Sequence, residues 1–123
     1  MEFNDNNRAI YLQIADAIAD AIAAGTMLPD SRIPSVREYA ARVMVNVNTV
    51  MRAYEQLAAA GIIYNRRGMG FYVAEGAAEN IVAMRRREFI DGGGLERMFR
   101  QLQLLRVGPE ELADMYNTYL SKQ

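Results

Sequence analysis

The sequence predicts a mainly α-helical protein in which a single β-hairpin interrupts a series of helices. Apolar residues repeat every three or four positions over most of the chain, and the pattern becomes β-prone only between Gly61 and Gly76. A chain of 123 residues has room for one ordinary domain and a small addition. We therefore expect an N-terminal domain over residues 8–75 and an all-helical C-terminal extension over residues 77–123.

The composition excludes several kinds of site. Apolar residues make up 51% of the chain, which is enough to form a core. Cysteine and histidine are both absent, so the commonest metal ligands and the commonest general base are missing. We expect no enzyme, no metal site and no cofactor. The sequence also lacks a signal-peptide pattern and a long apolar run, which favours a cytoplasmic protein that does not contact a membrane.

The first helix is predicted from Ile10 to Ala24. Its apolar face consists of isoleucines spaced by four residues, namely Ile10, Ile14, Ile18 and Ile22. Such spacing is typical of an amphipathic helix. Gly25 follows where a helix-ending glycine is expected.

Two short helices joined by a tight turn are predicted next. Ser35 and Glu38 have the spacing of a capping box, which predicts a helix over residues 36–43. Asn46 can begin another helix that continues to about residue 61. Together they form a helix-turn-helix over about residues 36–55.

The second of these helices separates into two faces on a helical wheel. Asn48 and Arg52 lie on the polar side, with Thr49 and Met51 beside them. The apolar side contains Val50, Ala53, Tyr54 and Leu57. A buried face opposite a polar face is the arrangement of a helix that packs on a core and contacts a ligand with its other side.

A β-hairpin is predicted over about residues 62–73. Two β-prone runs enclose a tip that contains Arg66, Arg67, Gly68 and Gly70. A hairpin directly after a helix-turn-helix is a wing. Its adjacent arginines are suited to DNA phosphates or to a minor groove.

The net charge of −1 is unevenly distributed along the chain. Residues 1–30 carry −4, residues 31–73 carry +4 and residues 74–123 carry −1. The basic segment coincides with the helix-turn-helix and the wing. This charge favours a nucleic-acid partner, because basic side chains release the counterions of phosphates.

The C-terminal segment predicts three helices, separated at residues 92–94 and before Pro109. Their apolar stripes include Phe89, Met98, Phe99, Leu102, Met115 and Tyr119. So few residues cannot bury these stripes alone. We expect these helices to form a homodimer.

Residues 11–73 resemble the DNA-binding domain of the GntR family of bacterial transcription regulators. The matching stretches are residues 11–14, 33–40, 45–54 and 68–73, in family order and spacing. The short helical tail resembles that of the YtrA-type subfamily, whose members have a small dimerising extension. The resemblance implies a repressor that binds a palindromic DNA operator as a homodimer, and the genes of such proteins often adjoin those of ATP-driven transporters. The sequence indicates no effector.

The residue types and the resemblance together predict a DNA-binding set. Its members are Ser35, Arg37, Asn46, Asn48, Thr49, Arg52, Arg66, Arg67, Gly68 and Gly70. By chemistry, Asn48 can pair with adenine and Arg37 with guanine, each through two hydrogen bonds. The resemblance places Arg37 on the second helix, Asn48 and Thr49 on the recognition helix, and the two glycines at the wing tip.

Some members of this set have a structural alternative. Ser35 can serve only as a helix cap, and Arg52 can be solvated or pair with Glu55 or Gln56. The tail arginines at positions 85–87 are interpreted as a solvated or interface face rather than a second DNA site. Met51 departs from the polar residue common in the family, and Met44 and Val47 replace its usual Gly and Pro.

Two other classes of protein are alternatives to a DNA-binding regulator. A winged-helix adaptor that binds proteins would have a neutral recognition helix and wing, which Arg37, Arg66 and Arg67 argue against. An enzyme would need paired carboxylates in a cleft. Glu110 and Glu111 are the candidates, but their position fits the first turn of a helix better.

Overall fold

The computed structural model describes residues 8–123 and confirms a mainly helical fold with one hairpin. The elements, in order, are α1 (Ile10–Ala23), α2 (Val36–Val43), α3 (Val47–Ala59), β1 (Ile63–Arg66), β2 (Gly70–Val73), α4 (Ala77–Asp91), α5 (Gly94–Leu104) and α6 (Pro109–Ser121). The strands β1 and β2 pair antiparallel. Within residues 8–123, no helix combines the length and the hydropathy that crossing a membrane requires.

The chain divides into two compact units after Met84. The expected N-terminal domain ends at residue 75, whereas the first unit also includes the first half of α4. The reason is that Ala77, Ile81 and Met84 are buried in the same apolar cluster as the N-terminal helices. The second unit consists of Arg85–Gln123.

The core of the first unit lies between α1, α2 and α3. The predicted isoleucine face of α1 is buried at Ile14, Ile18 and Ile22. Helix α3 packs against both α1 and α2. Because α3 buries one whole side in this way, its opposite side remains at the surface.

Tyr54 of α3 connects three parts of this unit. Its ring contacts Tyr39 of α2 and Phe71 of β2 edge-on, with centroid distances of 6.3 and 5.1 Å. Its hydroxyl donates a hydrogen bond of 2.6 Å to the carbonyl oxygen of Pro34, just before α2. Burial raises the pKa of Tyr54, so the hydroxyl stays protonated and remains a donor at neutral pH.

The predicted capping box begins α2. The backbone N–H of Glu38 donates to Ser35 Oγ, and the backbone N–H of Ser35 donates to Glu38 Oε1, each at 3.1 Å. The hydrogen bond from the Ser35 backbone lowers the pKa of Glu38. Because the ionised carboxylate is the stabilised form, its contribution to stability is present above the ordinary pKa and is lost as the pH falls through the lowered one.

The tip of the hairpin is a tight turn. The backbone N–H of Met69 donates to the carbonyl oxygen of Arg66 at 2.8 Å. Gly68 lies third in this turn with a φ of +78°, a conformation that glycine adopts without steric cost. A side chain at Gly68 would also project into open space, so the glycine keeps the tip narrow.

The hairpin is attached to the segment that leads into α2. The backbone N–H groups of Asp30 and Ile33 donate to the carbonyl oxygens of Val73 and Phe71, at 2.8 and 3.0 Å. Residue 32 forms an antiparallel bridge with Tyr72. These backbone bonds fix the wing next to the start of the helix-turn-helix.

Arg32 adds a side-chain link between the wing tip and α2. Its Nε donates to the carbonyl oxygen of Met69 at 3.1 Å, and its guanidinium lies 3.9 Å from Glu38 Oε1. A β-carbon at Gly70 would lie only 3.1 Å from Arg32 Nε. Glycine at position 70 therefore gives Arg32 room to reach the tip.

The second unit contains the end of α4 together with α5 and α6. Its helices begin and end close to the predicted positions, with Pro109 in the first turn of α6. No residue of α5 or α6 is buried. An open cavity of about 590 Å³ between these two helices is lined mainly by apolar side chains, including Phe99, Leu102 and Leu112.

We predict that Tyr54→Phe lowers the free energy of unfolding. The change removes a partly buried hydrogen bond while keeping the ring, so the loss should be about 0.5–1.5 kcal/mol in a urea titration. Tyr72→Phe is the control, because the Tyr72 hydroxyl has no hydrogen-bond partner within residues 8–123. A Tyr54→Phe protein as stable as the wild type would show that the ring contacts suffice.

A second prediction concerns the attachment of the wing tip. Arg32→Ala removes one hydrogen bond, and a loss of about 1 kcal/mol corresponds to about fivefold faster local opening. Amide hydrogen exchange over residues 66–70 of the free protein should therefore accelerate. Arg42→Ala, in the last turn of α2, removes an arginine that does not contact the wing. Unchanged exchange in Arg32→Ala would contradict the prediction.

Candidate nucleic-acid interface

The exposed face of α3 has the polar side chains predicted for it. Asn48 and Arg52 are exposed and Thr49 is half-buried, whereas Val50 and Ala53 are fully buried. The side chain of Asn48 makes no hydrogen bond within residues 8–123. Its amide is therefore available to pair with a base edge.

Asn46 begins α3 as its N-cap. Its side-chain oxygen accepts a hydrogen bond of 2.8 Å from the backbone N–H of Asn48. This contact satisfies one of the helix's free N–H groups and leaves the side-chain NH₂ exposed. Asn46 thus fixes the start of the helix next to Asn48 and still presents a donor.

The start of α2 presents Ser35 and Arg37. The Ser35 hydroxyl oxygen is engaged in the capping box, which is the structural alternative considered for this residue. Arg37, two residues later, is exposed. It makes no ion pair with any residue of the described chain. Its guanidinium is therefore free to contact a base or a phosphate.

The wing tip presents Arg66 and Arg67, both exposed. The guanidinium of Arg66 lies over the ring of Tyr72, 4.8 Å from its centroid. Tyr72 in turn stacks on Tyr64 across the strands, as expected for hairpin packing. Gly68 and Gly70 add no side chains, so the tip is both narrow and positively charged.

Arg52 is exposed, and it also makes a contact that the sequence did not suggest. Its guanidinium lies 4.0 Å from the centroid of the Tyr11 ring, a cation–π contact between α3 and α1. The contact joins residues far apart in sequence, and no local pattern predicts it. In this position Arg52 links α3 to α1.

The charge of the basic segment is largely uncompensated. Within residues 8–123, the ion pairs are Arg8–Asp16 and Arg32–Glu38. The predicted arginines at positions 37, 52, 66 and 67 therefore lack acidic partners there. Their charges add to a positive potential over α2, α3 and the wing.

Arg32 is a residue that supports this surface and that sequence reasoning missed. It counts toward the charge of the basic segment, and it directly precedes the stretch that begins α2. The signal that could have identified it is this position, next to the Ile33-Pro34-Ser35 stretch. Its partner, a backbone carbonyl of the wing, leaves no trace in the sequence.

The described residues show no arrangement suited to a metal ion. Nowhere within residues 8–123 do three or more acidic side chains come together as such a site requires. Glu110 and Glu111 lie in the first turn of α6, where acidic side chains favour the helix dipole.

Comparison with known proteins places this chain in a family. Residues 10–73 match the family described as bacterial regulatory proteins, gntR family. The HTH-type transcriptional regulator YhcF of Bacillus subtilis is 34% identical over 116 residues, which cover 93% of this chain and 92% of YhcF. The transcriptional repressor YtrA of the same organism is 41% identical over 73 residues, covering 59% of this chain and 56% of YtrA.

The similarity extends to solved structures. A crystal structure of a GntR-family transcriptional regulator from Bacteroides thetaiotaomicron is 46% identical, with a TM-score of 0.79 over 94% of this chain and 99% of that one. Proteins of this kind are transcription regulators and not enzymes. On its matched residues, its winged fold and its relatives, the chain belongs to the GntR family of DNA-binding transcription regulators.

Proposed function

We propose that the protein is a transcriptional repressor that binds a palindromic DNA operator as a homodimer. The observation that carries the proposal is the set of exposed arginines without acidic partners around α3 and the wing. The proposed interface consists of Ser35, Arg37, Asn46, Asn48, Thr49, Arg52, Arg66, Arg67, Gly68 and Gly70, with Arg52 at its edge toward α1. The protein acts in the cytoplasm, where bacterial DNA lies.

The contacts divide by chemistry into base recognition and phosphate binding. Asn48 projects from the exposed face of α3 and pairs with adenine in the major groove, while Arg37 pairs with guanine. Arg66 and Arg67 contact phosphates or the adjacent minor groove from the wing. Asn46 and Ser35 contribute mainly by fixing the starts of the two helices.

The homodimer is supported by the apolar surface of the second unit. Phe99, Leu104, Leu105, Tyr116 and Tyr119 are each more than half exposed. Monomeric proteins rarely leave so many large apolar side chains in water. A second copy of the chain, packed against α5 and α6, would cover them. A two-fold dimer then requires two half-sites about one DNA turn apart.

The regulatory role is supported by relatives. YtrA of B. subtilis is named a transcriptional repressor, and it is 41% identical over 73 residues. The tail resembles those of YtrA-type proteins, so we propose that this protein controls an operon for an ATP-driven transporter. Loss of the gene should then raise the transcript level of a neighbouring transporter operon.

Selection of bound sequences from random duplexes tests DNA recognition directly. The expected result is one enriched two-fold palindrome whose affinity exceeds that of a scrambled duplex and falls steeply with salt. A salt-dependent affinity without sequence preference would reduce the function to nonspecific binding. No binding at all would favour the alternative, a winged-helix adaptor that binds proteins.

Arg37→Ala should weaken binding to the selected operator by about 1–3 kcal/mol and relax the preference at one base position in each half-site. Competition binding against a set of single-base operator variants measures both effects. Arg42→Ala is the matched control, since it removes an exposed arginine from the other end of α2. An equal loss of affinity for all sequences would assign Arg37 to a phosphate instead.

Phe99→Asp should weaken the homodimer at least about tenfold, because burying a phenylalanine contributes about 1.5–3 kcal/mol. Sedimentation equilibrium measures the dissociation constant. Ala78→Asp introduces the same charge at an exposed position in the first turn of α4, outside α5 and α6, and should leave the dimer intact. A wild-type protein that sediments as a monomer at all concentrations would refute the homodimer.

A further inference from the structure

The exposed face of α3 contains one large apolar side chain, that of Met51. Met51 is 40% exposed, although its neighbours Val50 and Ala53 are fully buried. Residues three or four positions apart share a helix face, so Met51 lies directly beside Asn48 and Glu55. An apolar side chain here has no core to fill and faces the same side as the amide expected to recognise a base.

The side chain of the next residue, Arg52, extends away from Met51. The guanidinium of Arg52 is placed over the Tyr11 ring of α1, 4.0 Å from its centroid. Arg52 is therefore directed toward α1. In the second turn of α3, Met51 is the long side chain beside Asn48 that remains available to contact a groove of DNA.

The major groove offers one apolar group that such a side chain can recognise. Thymine carries a C5 methyl group there, whereas the other bases present hydrogen-bonding groups. Methionine is unbranched and flexible, so its thioether can follow the shape of a methyl group. Three residues of helix rise by about 4.5 Å, a little more than the roughly 3.4 Å between base pairs. Met51 therefore reaches a base pair adjacent to the one contacted by Asn48.

We propose that Met51 is a specificity-determining residue that packs against the C5 methyl group of a thymine in the operator. The inference rests on the proposed DNA-binding function and extends it to one atom of one base. The operator of this protein should contain a thymine where operators recognised by a polar side chain need none.

Replacement of single thymines by deoxyuridine tests the proposal, because it removes the methyl group and leaves base pairing unchanged. The probe is the duplex recovered by selection, with one thymine replaced at a time, and the protein is the full chain. At one position in a half-site, replacement of thymine by deoxyuridine should weaken wild-type binding by about fourfold, the factor expected for burying one methyl group. Met51→Ala should bind the thymine duplex more weakly and lose this penalty.

Two further variants make the result specific. Met51→Leu keeps an apolar side chain and should keep the penalty for deoxyuridine. Met44→Ala removes a methionine that is 91% exposed in the turn before α3, outside the exposed face, and should also keep it. If Met51→Ala retains the full penalty, another residue contacts the methyl group and the proposal is wrong.

The role of Met51 and the proposed function are refuted by different outcomes. If no thymine replacement weakens wild-type binding to the selected palindrome, the role of Met51 is refuted while the proposed function stands. If selection yields no preferred sequence, the proposed function itself is refuted, and the role of Met51 with it.

Discussion

The arrangement of the first unit, which contains the helix-turn-helix and the wing, depends on one buried side chain, that of Tyr54. Its ring contacts α2 through Tyr39 and the wing through Phe71, and its hydroxyl bonds to Pro34 at the entrance of α2. The recognition helix, the preceding helix and the wing therefore share one point of contact. A DNA-binding surface made from separate elements needs such a common anchor, because base recognition tolerates little displacement between the contacting groups.

The polar side chains around this anchor divide into two groups before any DNA is bound. Ser35, Asn46 and Arg52 are engaged within the protein, in two helix caps and one cation–π contact. Arg37, Asn48 and Arg67 remain available at the surface. The first group fixes the backbone, and the side chains of the second group are free to contact DNA. Such preorganisation reduces the entropy lost on binding, since the scaffold need not become ordered.

The sequence predicted those parts of the fold that depend on local chemistry. The spacing of Ser35 and Glu38 located the start of α2, and the glycines and arginines of the tip located the wing. The structure added contacts between residues far apart in the chain. Arg52 stacks on Tyr11, and Arg32 bonds to a wing carbonyl 37 positions away. The first half of α4 joins the N-terminal core through Ile81. The sequence could not predict this contact, because the periodicity of one helix does not show which other helices it packs against.

The link from Arg32 to the wing has an evolutionary consequence. Arg32 bonds to the wing tip, its guanidinium lies beside Glu38 of the capping box, and it needs the space left by Gly70. A larger residue at position 70 would displace Arg32, and the φ of +101° at this position favours glycine independently of Arg32. Positions 32 and 38 should therefore covary among descendants of this protein, while position 70 remains glycine. The exposed face of α3 is free of this constraint, so operator preference can diverge there while the support of the wing is inherited as a unit.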